Sequence, residues 1–147
     1  MLRATEDGAQ TLFETSVSCV GASICQQGAR DSQHLYRACV EAVRSAHIPD
    51  GALPQIHISG CPSSCGTHQI GELGFHGGVK IIDKKPVPAF TLHVGGSAQL
   101  GTEHFGENWG SILEEQIPLF LVELGQTVAR SCQRFDQWIT NHMDDLR

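Results

Sequence analysis

The sequence predicts an α/β fold, in which a mixed sheet is flanked by helices, and three observations point there. Short alternating apolar runs and one helical stripe follow each other through the first half of the chain. A pair of strand-like segments then flanks a polar turn at Asp83–Lys84–Lys85. The last part places Leu121, Leu124 and Val128 at helical spacing. At 147 residues, 40% of them hydrophobic, the chain has the size of one domain and can bury a core.

The elements read as follows. Residues 1–10 are polar and form a loose lead-in. Thr11 to Val17 is expected to be a short strand delivering Cys19. Asp31 or Ser32 can cap a helix running to about Ala46, with Leu35, Cys39 and Val43 on one stripe and Arg37, Glu41 and Arg44 turned elsewhere. Ile48-Pro49-Asp50-Gly51 is a turn. In the strand Gln55 to Ser59, Ile56 and Ile58 face one way while His57 and Ser59 face the other. Pro62 suits the first position of a helix. Val79 to Ile82 and Ala89 to Val94 make a hairpin, and Gly95 to Gly110 reads as irregular. A helix starts at Ile117, with Cys132 at the end of its stripe, and a shorter one spans about Phe135 to Asp144.

Charge and composition exclude several classes. The chain is mildly acidic, with a net charge of −6 and no basic stripe, so nucleic acid is not an expected partner. Lys80, Lys84 and Lys85 read as a solvated hairpin. The first residues show no apolar signal-peptide core. The apolar stretch from Ile117 to Leu124 is too short for a membrane span and is broken by Glu123. A cytoplasmic, reducing location is expected, where six cysteines point to metal or catalysis more than to disulfides.

Four of those cysteines carry most of the information, as Cys19-x5-Cys25 and Cys61-x3-Cys65. Converging thiolates hold zinc or iron–sulfur clusters. Cys19 and Cys25 are six apart, about 240° around a helix at about 100° per residue, so a loop must join them. Cys61 and Cys65 would share one face of a helix opened by Pro62. The tight two-residue knuckle of many zinc sites is absent, and a wider, cubane-sized site fits the spacing better. Gly60 and Gly66 leave room for a bulky group, and a helix N-terminus near Pro62 would aim N–H donors at an anionic cluster.

The run Ser18-Cys19 through Cys25-Gln26-Gln27-Gly28, then Ile58-Ser59-Gly60-Cys61-Pro62-Ser63-Ser64-Cys65-Gly66 and Glu72-Leu73-Gly74-Phe75, resembles the siroheme–[4Fe-4S] domain of nitrite and sulfite reductases, their C-terminal half. The resemblance covers roughly residues 11 to 145. It implies that Cys19, Cys25, Cys61 and Cys65 bind a [4Fe-4S] cluster and that Cys65 also bridges to the siroheme iron. It implies a part in the six-electron reduction of nitrite to ammonia or sulfite to sulfide. Expected partners are the N-terminal half of the reductase or a partner subunit, and an electron donor such as ferredoxin or a flavin/NAD(P)H component. Ser63 stands where the family often has asparagine, and Glu72 where it often has aspartate. Nothing in this chain replaces the arginine and lysine cluster that the family's earlier half supplies, so an excised half or a small stand-alone relative is expected. Arg30, near the first pair, is the candidate for a siroheme carboxylate. No catalytic residue is assigned.

The single domain, residues 1–147, then divides into the lead-in at 1–10, a cluster-binding α/β core at 11–97, an irregular connection at 98–116 and C-terminal helices at 117–147. Two rival functions stand beside the reductase. One is a cluster-carrying electron-transfer module without siroheme, or a domain like that of precorrin-3B synthase; the other is a structural zinc module. Cys39 and Cys132 read as core filling on apolar helix stripes. His68 reads as a polar residue on the helix after the site, with a proton donor as the sharper alternative, and His57 as packed or solvated. Phe105, Trp109 and Trp138 read as core and cap contacts, and Glu114-Glu115 as solvated surface.

Overall fold

The computed structural model describes residues 8–146, so the first seven residues of the expected lead-in lie outside the described residues. A five-stranded mixed sheet holds β1 (Val17–Ser18), β2 (Ile56–Ser59), β3 (Leu73–Ile82), β4 (Lys85–Val94) and β5 (Glu107–Leu113) in sequence order. β1, β2 and β3 run parallel, while β3, β4 and β5 are antiparallel. The α-helices among the described residues are α1 (Ser32–Ser45), α2 (Ile117–Arg130) and α3 (Phe135–His142). This is the mixed α/β architecture expected from the sequence. Among the described residues no helix is long and apolar enough to cross a membrane.

The side chain of Asp31 caps α1 by accepting from the His34 amide at 3.0 Å, a contact worth about 1 kcal/mol. The helix buries the stripe Leu35, Cys39 and Val43. It packs against α2, whose own stripe is Ile117, Leu121, Leu124 and Val128. Both stripes join Ile56, Ile58, Phe75, Phe90 and Leu92 from the sheet in one core. Each such side chain contributes about 1.5–3 kcal/mol through burial. The hairpin turns at Asp83 and Lys84, with φ of 51° and 64°, as a two-residue turn of the primed type requires. Its strands are longer than the sequence suggested and pair without a break from Leu73↔Val94 to Ile82↔Lys85.

Four expectations are corrected. The strand expected over Thr11 to Val17 is a 3₁₀ turn at Phe13–Thr15 followed by the short β1. The hydroxyls of Thr15 and Ser16 bond back to the carbonyls of Leu12 and Phe13, which competes with an extended ladder. β5 occupies part of the expected irregular connection at 98–116; its residues alternate poorly because it is a mostly exposed strand with Gly110 at φ 110°. No helix follows Pro62: residues 61–72 run through turns and bends, with Ser64 and Thr67 at positive φ. Cys132 lies past the end of α2 at φ 55° and is exposed, not core.

The missing helix has a physical reason. Parallel neighbours need a crossover, usually helical, and here residues 60–72 provide it as a turn-rich segment lying directly on the sheet. A Cβ on Gly66 would sit 2.1 Å from the Ile58 carbonyl oxygen, so the backbones touch there. A helix cylinder cannot approach a strand so closely.

Candidate functional site

Cys19 follows β1, and Cys61 follows Gly60 at the end of β2. The two strands are parallel, so both leave their carboxyl ends on the same side, where open α/β sheets hold ligands. The Cys19 amide extends the pairing by donating to the Ile58 carbonyl at 3.0 Å. The Gly60 amide then donates to Cys19 Sγ at 3.1 Å. Ser32 Oγ lies 3.2 Å from the same sulfur and donates to the Cys19 carbonyl at 2.8 Å.

The loop between Cys19 and Cys25 is stitched onto this end of β2. The amides of Ala29 and Arg30 both donate to the Gly60 carbonyl, at 3.0 and 2.8 Å, and the Cys25 amide donates to Gly21 at 2.8 Å. Gly21 takes φ +68°, and a Cβ there would meet the Ser32 amide nitrogen at 2.6 Å. A Cβ on Gly60 would meet the Arg30 carbonyl oxygen at the same 2.6 Å. Cys19, Cys25 and Cys61 are half-buried, and Cys65 is exposed on the crossover. The Ser63 hydroxyl and amide hold the Cys61 thiol below its ordinary pKa. One observation fits an iron–sulfur cluster here: a backbone N–H already reaches a cysteine sulfur. That donor is the Gly60 amide at a strand end rather than the N-terminus of a helix.

The other sequence-singled residues fall in several places. Arg30 is half-buried, with its guanidinium 3.9 Å from Glu114, so Glu114 is a partly buried ion-pair partner while Glu115 is exposed. Cys39 is fully buried, and burial pushes its thiol up to about 12. Trp138 is buried and stacks on His142 at 4.8 Å, and Trp109 packs at the edge of the core. Phe105 is 70% exposed and makes no core contact of the kind expected. His57 is half-buried, its ring bonded to Thr67 Oγ1 at 2.8 Å and its pKa lowered by burial.

His68 departs furthest from expectation. It is 2% exposed, and its ring packs against those of His76 and His93 at centroid distances of 4.8 and 5.0 Å. One ligand atom from each of the three rings lies within 4.8 Å of the others; among the described residues this is the histidine, cysteine or carboxylate group compact enough for a single ion. Burial, then the neighbouring His76 and His93, lower the His68 pKa to about 4. Burial likewise lowers His76 and His93. The register explains the gathering: Ser59 pairs with His76, and Gly74 lies between His57 and His93. All these positions face away from the core face that carries Ile58, Phe75 and Leu92. A sequence signal existed in the alternation, since His76 and His93 each follow a buried core position.

A mixed sheet with Cys19 and Cys61 just past the carboxyl ends of the parallel strands β1 and β2 makes this an α/β domain. No family model matches the chain. It is 30% identical over 95 residues to a ferredoxin–nitrite reductase of Leptolyngbya laminosa, a match covering 62% of this chain and 18% of that enzyme. It is 29% identical over 113 residues to the chloroplastic ferredoxin–nitrite reductase of Arabidopsis thaliana, covering 74% and 19%. The structure of the Mycobacterium tuberculosis NirA protein matches with a TM-score of 0.68 at 25% identity, over 88% of this chain and 26% of that one. The chain is thus similar in sequence to two ferredoxin–nitrite reductases and in fold to the NirA protein, and it spans only 18% and 19% of the length of these two curated relatives.

Proposed function

We propose that this chain is the [4Fe-4S] and siroheme-bridging domain of a nitrite or sulfite reductase. The observation that supports it is the stitching of the two cysteine loops at Gly60, whose amide reaches Cys19 Sγ and whose carbonyl holds the end of the first loop. Cys19, Cys25, Cys61 and Cys65 would hold the cluster, and the exposed Cys65 would also contact the siroheme iron. Arg30 would offer its guanidinium to a siroheme carboxylate, exchanging its present neighbour Glu114. When bound, these groups supply stored electrons and the metal centre for six-electron reduction of the anion. The names of the similar enzymes favour nitrite over sulfite and ferredoxin as the electron donor. The chain itself contributes thiolates, the amide donor to sulfur and a fixed crossover. The groups that bind the anion belong to the rest of the reductase or a partner subunit.

Anaerobic purification tests the reading. Iron and acid-labile sulfide should be present at about four each per chain, and co-expression with siroheme synthesis and the remaining reductase segment should add haem absorption. Zinc without sulfide would replace the reading by a structural zinc module. A cluster that never couples to siroheme would reduce it to an electron-transfer module.

A further inference from the structure

The three histidines lie outside the thiolate site and have no part in the function proposed above. They come from three segments: His68 from the crossover, His76 from β3 and His93 from β4. A polar trio at a core edge would ordinarily turn to water or to separate partners. Here the rings face one another, with centroids 4.8, 5.0 and 5.1 Å apart. We propose that His68, His76 and His93 form a binding site for a divalent first-row transition ion, separate from the four thiolates.

Two features mark a built site. The first is the spacing of the ligand atoms. His76 Nδ1 and His93 Nε2 lie 2.9 Å apart as a hydrogen-bonded pair, and a bound ion would replace the proton between them once the donor ring takes its other tautomer. Two nitrogens bound tetrahedrally at about 2.0–2.1 Å from one ion stand about 3.3 Å apart. The pair therefore needs to open by only a few tenths of an ångström, while the third ligand atom, within 4.8 Å of the others, would close by up to about 1.5 Å.

The second is the set of groups behind the rings. His68 Nδ1 lies 2.9 Å from Ser59 Oγ, and the Gly66 amide fixes that hydroxyl by donating to it at 3.0 Å. When His68 donates through Nδ1, its Nε2 lone pair is left for a cation. Ligating histidines are characteristically held this way through their second nitrogen. Beside His93, the Gly106 amide donates to the Gln69 carbonyl at 2.8 Å, which fixes the backbone next to that ring. Three neutral imidazoles suit zinc, copper, nickel or iron, and as a three-protein-ligand set they leave a coordination position for water or another small donor.

Zinc is the probe. The thiolates are first removed as competitors by replacing Cys19, Cys25, Cys61 and Cys65 with serine, and the loaded chain is studied by zinc K-edge X-ray absorption and a competition titration. One equivalent should bind, with a nitrogen or oxygen shell at about 2.0 Å and imidazole scattering. His76→Gln and His93→Gln should each weaken binding by at least about 100-fold, and Ser59→Ala by about 10–100-fold. Absence of binding by the folded chain, or binding indifferent to the histidines, overturns the proposal. If the serine variant does not fold, the same measurements use the native chain at saturating zinc. A purely sulfur shell at about 2.3 Å then overturns the proposal, and a histidine-dependent extra equivalent supports it. His76→Gln leaves all four thiols, so iron and sulfide content in that variant reports on the cluster reading independently.

Discussion

Gly74 lies directly beneath His68: a Cβ on the glycine would sit 1.8 Å from the histidine's carbonyl oxygen. The crossover can lie on the sheet only because this strand position is bare. The atom in the way is backbone and cannot swing aside, so Gly74→Ala must lift the crossover. A loss of about 3 kcal/mol is expected, at the upper end of the range for overpacked cores. Gly78, on the same strand, has no atom within 4 Å of an added Cβ. Gly78→Ala should be neutral or slightly stabilising. Equal melting temperatures for the two variants would refute this placement of the crossover.

Glu14 and Arg44 form a two-point ion pair, with both hydrogen bonds at 2.9 Å and the carboxylate buried. Hydrogen bonding from Arg44, then from the Gln10 amide, lowers the Glu14 pKa from 4.5 to about 2. A carboxyl lowered by folding stabilises the protein fully above its unfolded pKa and loses that contribution as pH falls through the folded one. Unfolding free energy should therefore decline from about pH 4.5 toward pH 2. In Arg44→Ala that acid decline should flatten, with a neutral-pH cost of about 1–2 kcal/mol, discounted because the arginine is half-exposed. Denaturant titrations across that range provide the check.

Cys39 is fully buried with its thiol pushed up to about 12, whereas Cys65 and Cys132 are exposed. Iodoacetamide at pH 8 on the native, cluster-free protein should modify Cys65 and Cys132 early and spare Cys39 until the chain unfolds. Peptide mass spectrometry reads the order directly, and early labelling of Cys39 would contradict the packing of α1.

Under the proposed function, Cys65→Ser should abolish electronic coupling between cluster and siroheme in the loaded reductase. Cys39→Ser, remote in role, should leave it intact. Mössbauer spectra measure the coupling, and an unchanged signal in Cys65→Ser would remove the bridging role.

Local signals were legible wherever a single segment decides its own fate. Asp31 caps α1 as read, its stripe of Leu35, Cys39 and Val43 is buried, and the alternation of Ile56 and Ile58 marks β2. The hairpin was legible from its turn, although its strands extend further than their apolar residues suggested. Pro62 misled because proline opens turns as readily as helices, and the choice was made by the close approach of Gly66 and Gly74 to neighbouring backbone. The loop character of the first cysteine pair was readable from spacing alone. The Gly60 amide bond to Cys19 spans 41 residues and was not readable. Alternation could place His76 and His93 off the core face, but their meeting with His68 depends on the register of β3 and β4 and the path of the crossover.

The crossover between β2 and β3 forms without the repeating hydrogen bonds of a helix, yet it carries Cys61, Cys65 and His68. Its folded shape and its capacity to take up ligands are therefore thermodynamically linked. Any group that binds only the ordered segment stabilises it by RT ln(1 + [L]/Kd), about 2.7 kcal/mol at a hundredfold excess over Kd. Amide exchange along residues 60–72 should consequently slow with loading, while β3 and β4 keep their protection. The segment that would hold the ligands is then also the one whose order they set.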